Sequence, residues 1–243
     1  INESDATLDT FPIEVAELNG ATRIADSFLH FNTSGARFVG EYLLPEFRGA
    51  AQAAEDRAFW LGDKGAGSPS TFFGLRNQTG VTDANPGAST ETPFVENVLN
   101  AMLRAMPAAF RQNPARLAYY LPLPTADDLA EIRAARGTLL GDRFTESQAT
   151  VPGPTPVAKY RGIDVYGIAQ LPTNEQLNGK DTGTAYLVHR DMLSIGDGLT
   201  MRIEPIRERN FITRIQLQEF VGLGYEWPVS VVRYSGIAPK ASA

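Results

Sequence analysis

The stretch from Phe38 to Gly62, FVGEYLLPEFRGAAQAAEDRAFWLG, constrains this chain more than any other. Phe38, Tyr42, Leu43, Phe47, Ala50, Ala51, Ala54 and Ala58 recur at three- and four-residue spacing, which marks one side of a helix. Twenty-five helical residues would span roughly 40 Å at about 1.5 Å each, more than a compact globule usually needs. The flat row of alanines permits close approach of a sheet or another backbone. Pro45 has no amide hydrogen and crowds the carbonyl four residues earlier, which predicts a bend there. Gly62 supplies the stop.

The remaining composition narrows the function classes. A chain of 243 residues, 43% hydrophobic and 21% charged, buries a real core as one large domain or two modest ones. With 22 basic and 28 acidic residues the net charge is −6, which argues against tight phosphate-backbone binding. The absence of cysteine excludes disulfides and thiolate metal sites. No apolar run approaches the roughly 18 residues of a membrane-crossing helix, so no membrane partner is expected. The chain opens on Ile1 with no signal-peptide pattern, and we expect that its true start has been removed by processing or choice of boundaries.

Before the long helix, Phe11, Ile13, Val15 and Leu18 come close to a period of two and predict a strand with no evident partner nearby. Ile24, Phe28 and Leu29 suit the start of a short helix. After it, residues 63–92 lack periodicity, and Thr92-Pro93 reads as a helix cap followed by proline at the first helical position. Phe94, Val95, Val98, Leu99, Met102 and Met106 form that helix's apolar stripe, and Pro107 closes it. Residues 117–121 (LAYYL) predict a buried strand. Thr125 and Asp128 resemble a capping box, Leu129 and Ile132 face inward, and Gly137 ends that helix. Residues 145–156, with three prolines, predict an exposed loop.

The last third is β-rich. Short strands are predicted at 163–168 and 185–189. Leu199, Met201 and Ile203 then alternate with Thr200, Arg202 and Glu204. After the turn PIRERN, Phe211, Thr213, Ile215 and Leu217 alternate with Ile212, Arg214, Gln216 and Gln218. That is a long hairpin with one apolar and one charged face. Residues 225–234 supply a final strand in which Pro228 suggests an edge or bulge.

Catalytic patterns are sparse. His189-Arg190-Asp191 has the kinase catalytic triplet, but Gly196 stands where Asn is required and no glycine loop with a strand lysine precedes it. A strand end with a solvated charge pair is the better reading. The glycine-rich run 62–67 follows a helix instead of a strand and lacks the Gly-Lys-Ser/Thr ending of a phosphate loop. The two histidines, His30 and His189, are not at metal-ligand spacing. Glu55-Asp56 and Asp127-Asp128 are helix neighbours that point about 100° apart, not an acid–base pair. No catalytic, cofactor or metal residue is assigned and no enzyme is expected, although sequence leaves open a Ser-His-Asp triad assembled in space. The hairpin tip is more informative. Arg202, Glu204, Arg207, Glu208 and Arg209 alternate in sign. Such a run is either a solvated turn or a self-complementary docking patch.

Taken in order, these elements resemble the major capsid protein of tailed bacteriophages, the Hong Kong 97-like family shared with encapsulins. The likeness runs from about Ile13 to Ile237. In that family a long spine helix ends in Glu-Asp-x-x-Phe-x-x-Gly, followed by Gly, Pro and Gly-Leu. The similar residues here are Glu55, Asp56, Phe59 and Gly62, then Gly67, Pro69 and Gly74-Leu75. The segment Gly162-Ile163-Asp164-Val165 resembles the family's Gly-x-Pro-Val strand, with Asp164 replacing proline, and Leu171-Pro172 stands where Met-Pro or Leu-Pro is usual.

The resemblance implies an α+β capsid fold. Residues 25–76 and 199–222 would form a peripheral domain of spine helix and long hairpin. Residues 77–198 and 223–243 would form an axial domain, a mixed sheet with flanking helices. Residues 1–24 would be the tail of an extended loop lying on a neighbouring subunit. Some members cross-link through lysine and asparagine, but no lysine precedes Lys64, and that chemistry is not carried over. The implied function is a structural shell subunit assembling with itself into hexamers and pentamers in the host bacterial cytoplasm. Portal and scaffolding proteins, and a decoration protein, would be further partners. The virion would enclose double-stranded DNA without sequence-specific binding, and an acidic wall would let the duplex slide. An encapsulin-type nanocompartment is the near alternative, and a monomeric hydrolase of unrelated fold the distant one.

Overall fold

The computed structural model describes residues 13, 15–25, 39–64, 72–87, 91–136, 144–145, 156–208 and 212–238. The chain forms two compact units, residues 1–77 with 194–226, and residues 78–193 with 227–243.

In the first unit, strand β1 (Val15–Ala25) leads towards a widened helical turn, Val39–Leu43, that continues into helix α1 (Leu44–Leu61). The regular helix is therefore shorter than its periodicity predicts: 18 residues, about 27 Å. Pro45 stands just after the wide turn, which takes up the irregularity that its missing amide hydrogen imposes. Of α1's apolar row, Ala58 is buried, whereas Ala50 and Ala54 are exposed.

The end of α1 is closed by the chain that follows it. Gly62 N–H donates to Ala58 O at 2.9 Å, Leu75 N–H to Phe59 O at 2.8 Å and Arg76 N–H to Trp60 O at 3.0 Å. The Asn77 amide donates to Gly62 O at 2.8 Å and Leu61 O at 3.3 Å. The carbonyls that a helix end leaves orphaned are thus all met from within.

The long hairpin begins earlier than the alternation suggests. Strand β10 (Leu193–Glu208, numbered in the order of the whole chain) pairs with β11 (Ile212–Tyr225), so β10 runs through Pro205 and most of the predicted turn. On β11, Ile215, Leu217 and Val221 are buried, while Arg214, Gln216 and Gln218 are half-buried, as the period of two requires. β1 lies antiparallel to β11 from Val15↔Gly222 to Ala25↔Ile212, giving the order β1-β11-β10. The leading strand, which has no evident partner nearby in sequence, thus finds one far along the same chain. The short helix expected from Ile24 is not formed at Ile24, which is still in β1; Phe28 and Leu29 lie outside the described residues.

The second unit is a mixed sheet carrying helices. Its remaining elements are β2 (Thr82–Asp83), β3 (Thr92–Pro93), α2 (Glu96–Ala105), α3 (Ala108–Arg111), β4 (Leu117–Pro122), α4 (Leu123–Arg136), β5 (Phe144–Thr145), β6 (Ala158–Tyr160), β7 (Ile163–Ile168), β8 (Glu175–Leu177), β9 (Lys180–His189) and β12 (Val231–Ala238). The strand order is β2-β12-β9-β4-β7-β6-β5, with β3 also on β12 and β8 on β9. β4 and β7 are parallel, and β9 is antiparallel to both β4 and β12.

Val98, Leu99, Met102 and Met106 of the α2 stripe pack with Leu129 of α4 on Tyr119, Leu121, Val165, Leu187 and Ile237. Two tyrosine hydroxyls tie this core together. Tyr119 Oη donates to Leu99 O at 3.0 Å, and Tyr160 Oη bonds Glu96 Oε1 at 2.9 Å.

Several local expectations are overturned by pairing. Thr92-Pro93 does not start a helix; it lies parallel to Ile237-Ala238 as β3, and α2 begins at Glu96. Thr125 lies inside α4 and is buried, so no capping box forms with Asp128. Pro228 opens a single-turn helix, Pro228–Ser230, and β12 starts after it between β9 and β2. Gly67, Pro69, Gly137 and most of the proline-rich loop lie outside the described residues.

Candidate assembly surface

The signed patch falls on the first unit. Arg202 and Glu204, two apart on β10, form an ion pair. Glu208, at the end of β10, accepts from Arg23 Nε of β1 at 3.1 Å and faces Arg214 Nη1 of β11 at 3.9 Å. Arg23 and Arg214 stand directly across from one another in the β1–β11 register. Like charges opposite one another repel, so the single carboxylate of Glu208 bridges two guanidiniums, the three side chains coming from three strands. Arg207 is exposed, and Arg209 lies outside the described residues. Arg214 is legible in sequence as part of the hairpin's charged face, but Arg23 was not found there, although a lone arginine after five carboxylates (Glu3, Asp5, Asp9, Glu14, Glu17) was a usable signal.

These pairs are shallow: Arg23 is 68% exposed and Glu208 26%. Exposed pairs contribute about 0–1 kcal/mol each. They therefore add little to the stability of the subunit.

The kinase-like triplet ends β9. Arg190 Nη2 donates to Asp164 Oδ2 at 2.9 Å and to Tyr166 Oη at 3.0 Å, with its guanidinium carbon 5.4 Å from the Tyr166 ring centroid. Burial works to lower the Arg190 pKa, but the Asp164 hydrogen bond together with the nearby Tyr166, Tyr120 and Asp164 outweighs it, and the net shift is upward. Asp191 pairs with Arg116 at 2.6 Å. His189 is buried edge-on to Phe110, ring centroids 5.5 Å apart. The triplet thus ties the sheet end to neighbouring turns, and only Asp191 matches the predicted solvated pair. Among the described residues no cluster of His, Cys, Asp or Glu is arranged to hold a metal ion, and no helix is long and apolar enough to cross a membrane.

A spine helix closed by a returning Gly-Leu segment, a long charged hairpin and a separate mixed sheet define a shell protein of Hong Kong 97-like fold. The sequence profile of the Phage capsid family matches residues 1–224, and the chain belongs to that family. No curated protein sequence matches it. Solved structures that share the fold include three capsid or encapsulin shells. The capsid of an empty GTA particle determined with C5 symmetry gives a TM-score of 0.64 at 14% identity, covering 98% of this chain and 80% of that one. The holo-SrpI encapsulin complex of Synechococcus elongatus gives 0.61 at 14%, covering 94% and 76%. The capsid of cyanophage A-1(L) gives 0.60 at 17%, covering 91% and 77%. The chain is accordingly a structural shell protein of the virion capsid.

Proposed function

We propose that this chain is the repeating wall subunit of a tailed, double-stranded DNA phage, forming hexamers and pentamers that close into an icosahedral capsid. The observation that carries this is the family match over residues 1–224. The unit with α1 and the long hairpin is read as the peripheral domain, and the unit with the mixed sheet as the axial one. The wall works mechanically and catalyses nothing; many modest contacts repeated by symmetry hold it together. It encloses the genome without reading sequence, and its net charge of −6 keeps the duplex from adhering along the inner surface. Assembly takes place in the bacterial cytoplasm with portal and scaffolding proteins, and a decoration protein completes the exterior.

The likeness to an encapsulin favours one second reading, a nanocompartment. Electron microscopy of the full-length protein purified from cells separates the two. Closed shells containing nucleic acid support the phage wall, and shells loaded with a protein cargo support the compartment. A species that stays monomeric at high concentration refutes both.

A further inference from the structure

The sheet of the second unit carries opposite charge at its two ends. β4 and β7 start, and β9 stops, at one end. Arg116, paired with Asp191, immediately precedes β4 there, and Arg161 occupies the turn between β6 and β7. Arg111 follows Phe110, whose ring packs on His189, and Arg104 lies in the last turn of α2 just before. All four arginines are exposed. Residues 97–126 contain three of them and no Asp or Glu.

Arg161 is the most telling of the four. Its φ is 51°, a left-handed conformation that strains a non-glycine residue. The equivalent turn between β8 and β9 uses Asn178-Gly179, the usual solution. At Arg161 the chain instead keeps a long cation, held with its guanidinium carbon 5.5 Å from the Tyr160 ring centroid. Retaining strain at an exposed position points to use of the side chain.

At the opposite end β4 stops, β9 starts and β3 meets the end of β12. Glu91 adjoins β3, Asp127 lies early in α4, and Glu175 and Asp181 sit on the β8–β9 hairpin. Lys180, in the same hairpin, is paired with Glu91. The ten residues of β9 separate the two ends by about 33 Å. That is several times the Debye length of about 8 Å at physiological salt, so the ends do not neutralise each other within one chain.

We infer that the arginine end of this sheet in one copy docks on the carboxylate end of the sheet in a second copy. Two identical chains with this polarity attract head to tail, a heterologous contact that makes rings when its rotation closes. The contact rests on the shell reading above and adds to it a surface, a polarity and a partner.

The test is assembly of the full-length protein, followed by sedimentation, with thermal melting by circular dichroism to check folding. Arg104→Glu with Arg111→Glu, and separately Asp127→Lys with Asp181→Lys, should each raise the concentration needed for assembly about tenfold or more, because like charges then face each other. The chain carrying all four changes should assemble near the wild-type concentration. If the glutamate variants fail to fold, Arg104→Gln with Arg111→Gln takes their place with a smaller rise expected. Single-end variants that assemble like wild type overturn the contact, as does a folded four-site variant that stays dissociated. Arginine variants that assemble normally but lose affinity for a duplex oligonucleotide also overturn it, assigning that end to a polyanion. A wild-type chain that never assembles overturns the shell reading and this contact with it.

Discussion

Gly74 lies so close to Ala58, on the last turn of α1, that a Cβ at Gly74 would sit 2.6 Å from the Ala58 carbonyl oxygen. It would also lie 2.6 Å from the Gly62 amide nitrogen. Both are backbone atoms engaged in closing the helix, and neither can step aside as a side chain would. Gly74→Ala should therefore cost at least about 1–3 kcal/mol, the usual penalty of overpacking. The check is the midpoint of denaturant unfolding of the purified subunit. A midpoint equal to wild type would mean that the Gly74-Leu75 segment does not pack on the helix end.

Gly49 should respond with the opposite sign. It lies in the same helix, and an added Cβ there meets nothing within 4 Å. Alanine lowers the entropy cost of ordering a helix interior, so Gly49→Ala should stabilise the subunit by about 0.5–1 kcal/mol. The same unfolding series measures it. If the variant folds as well but assembles less, a neighbouring chain approaches the helix at that point.

Alkaline titration should expose the second unit's core. Burial, helped by the nearby Tyr160 and opposed by Arg161, pushes the Tyr119 hydroxyl well above its ordinary pKa. Tyr120 is raised as well, chiefly by burial. The folded chain then keeps protons that the unfolded chain releases from about pH 10, so the unfolded state binds fewer protons above that point. Stability is full below pH 10 and falls as pH rises beyond it. Tyr119→Phe loses the bond to Leu99 O, about 0.5–1.5 kcal/mol at neutral pH, and should flatten the alkaline fall. An unchanged slope would place the titration elsewhere.

What could be read from residue order was what depends on local periodicity. The α2 stripe through Val98, Leu99 and Met102 and the alternation of Ile215 and Leu217 with Arg214 and Gln216 both reappear, because each pattern needs only its own element's repeat. What failed depends on partners distant in sequence. Thr92-Pro93 has the chemistry of a helix start, yet backbone pairing with Ile237-Ala238 decides its conformation. β1 had no evident partner in sequence because its partner β11 lies nearly the whole chain away. The same distance hid Arg23 from the hairpin patch, since only the folded register sets it opposite Arg214 and beside Glu208. Charge alternation marked the patch, but could not say that part of it is satisfied at home.

That internal pairing sharpens the test of the hairpin tip. Glu208→Ala removes the carboxylate shared by Arg23 and Arg214 and leaves two guanidiniums opposed on neighbouring strands. Like charges so placed should cost the subunit roughly 0.2–1 kcal/mol, a small shift in its melting temperature. Arg207→Glu with Arg209→Glu reverses two charges of the tip and keeps all three members of that bridge, and the melting temperature of the isolated subunit is measured alongside. If the tip meets a neighbour, this second variant should give markedly fewer closed shells by electron microscopy at equal protein concentration, because reversed charge in a contact repels the partner it was built for. Full shell yield from Arg207→Glu with Arg209→Glu would reduce the tip to a solvated turn. Loss of the folded subunit itself would show that these arginines hold the hairpin and not its partner.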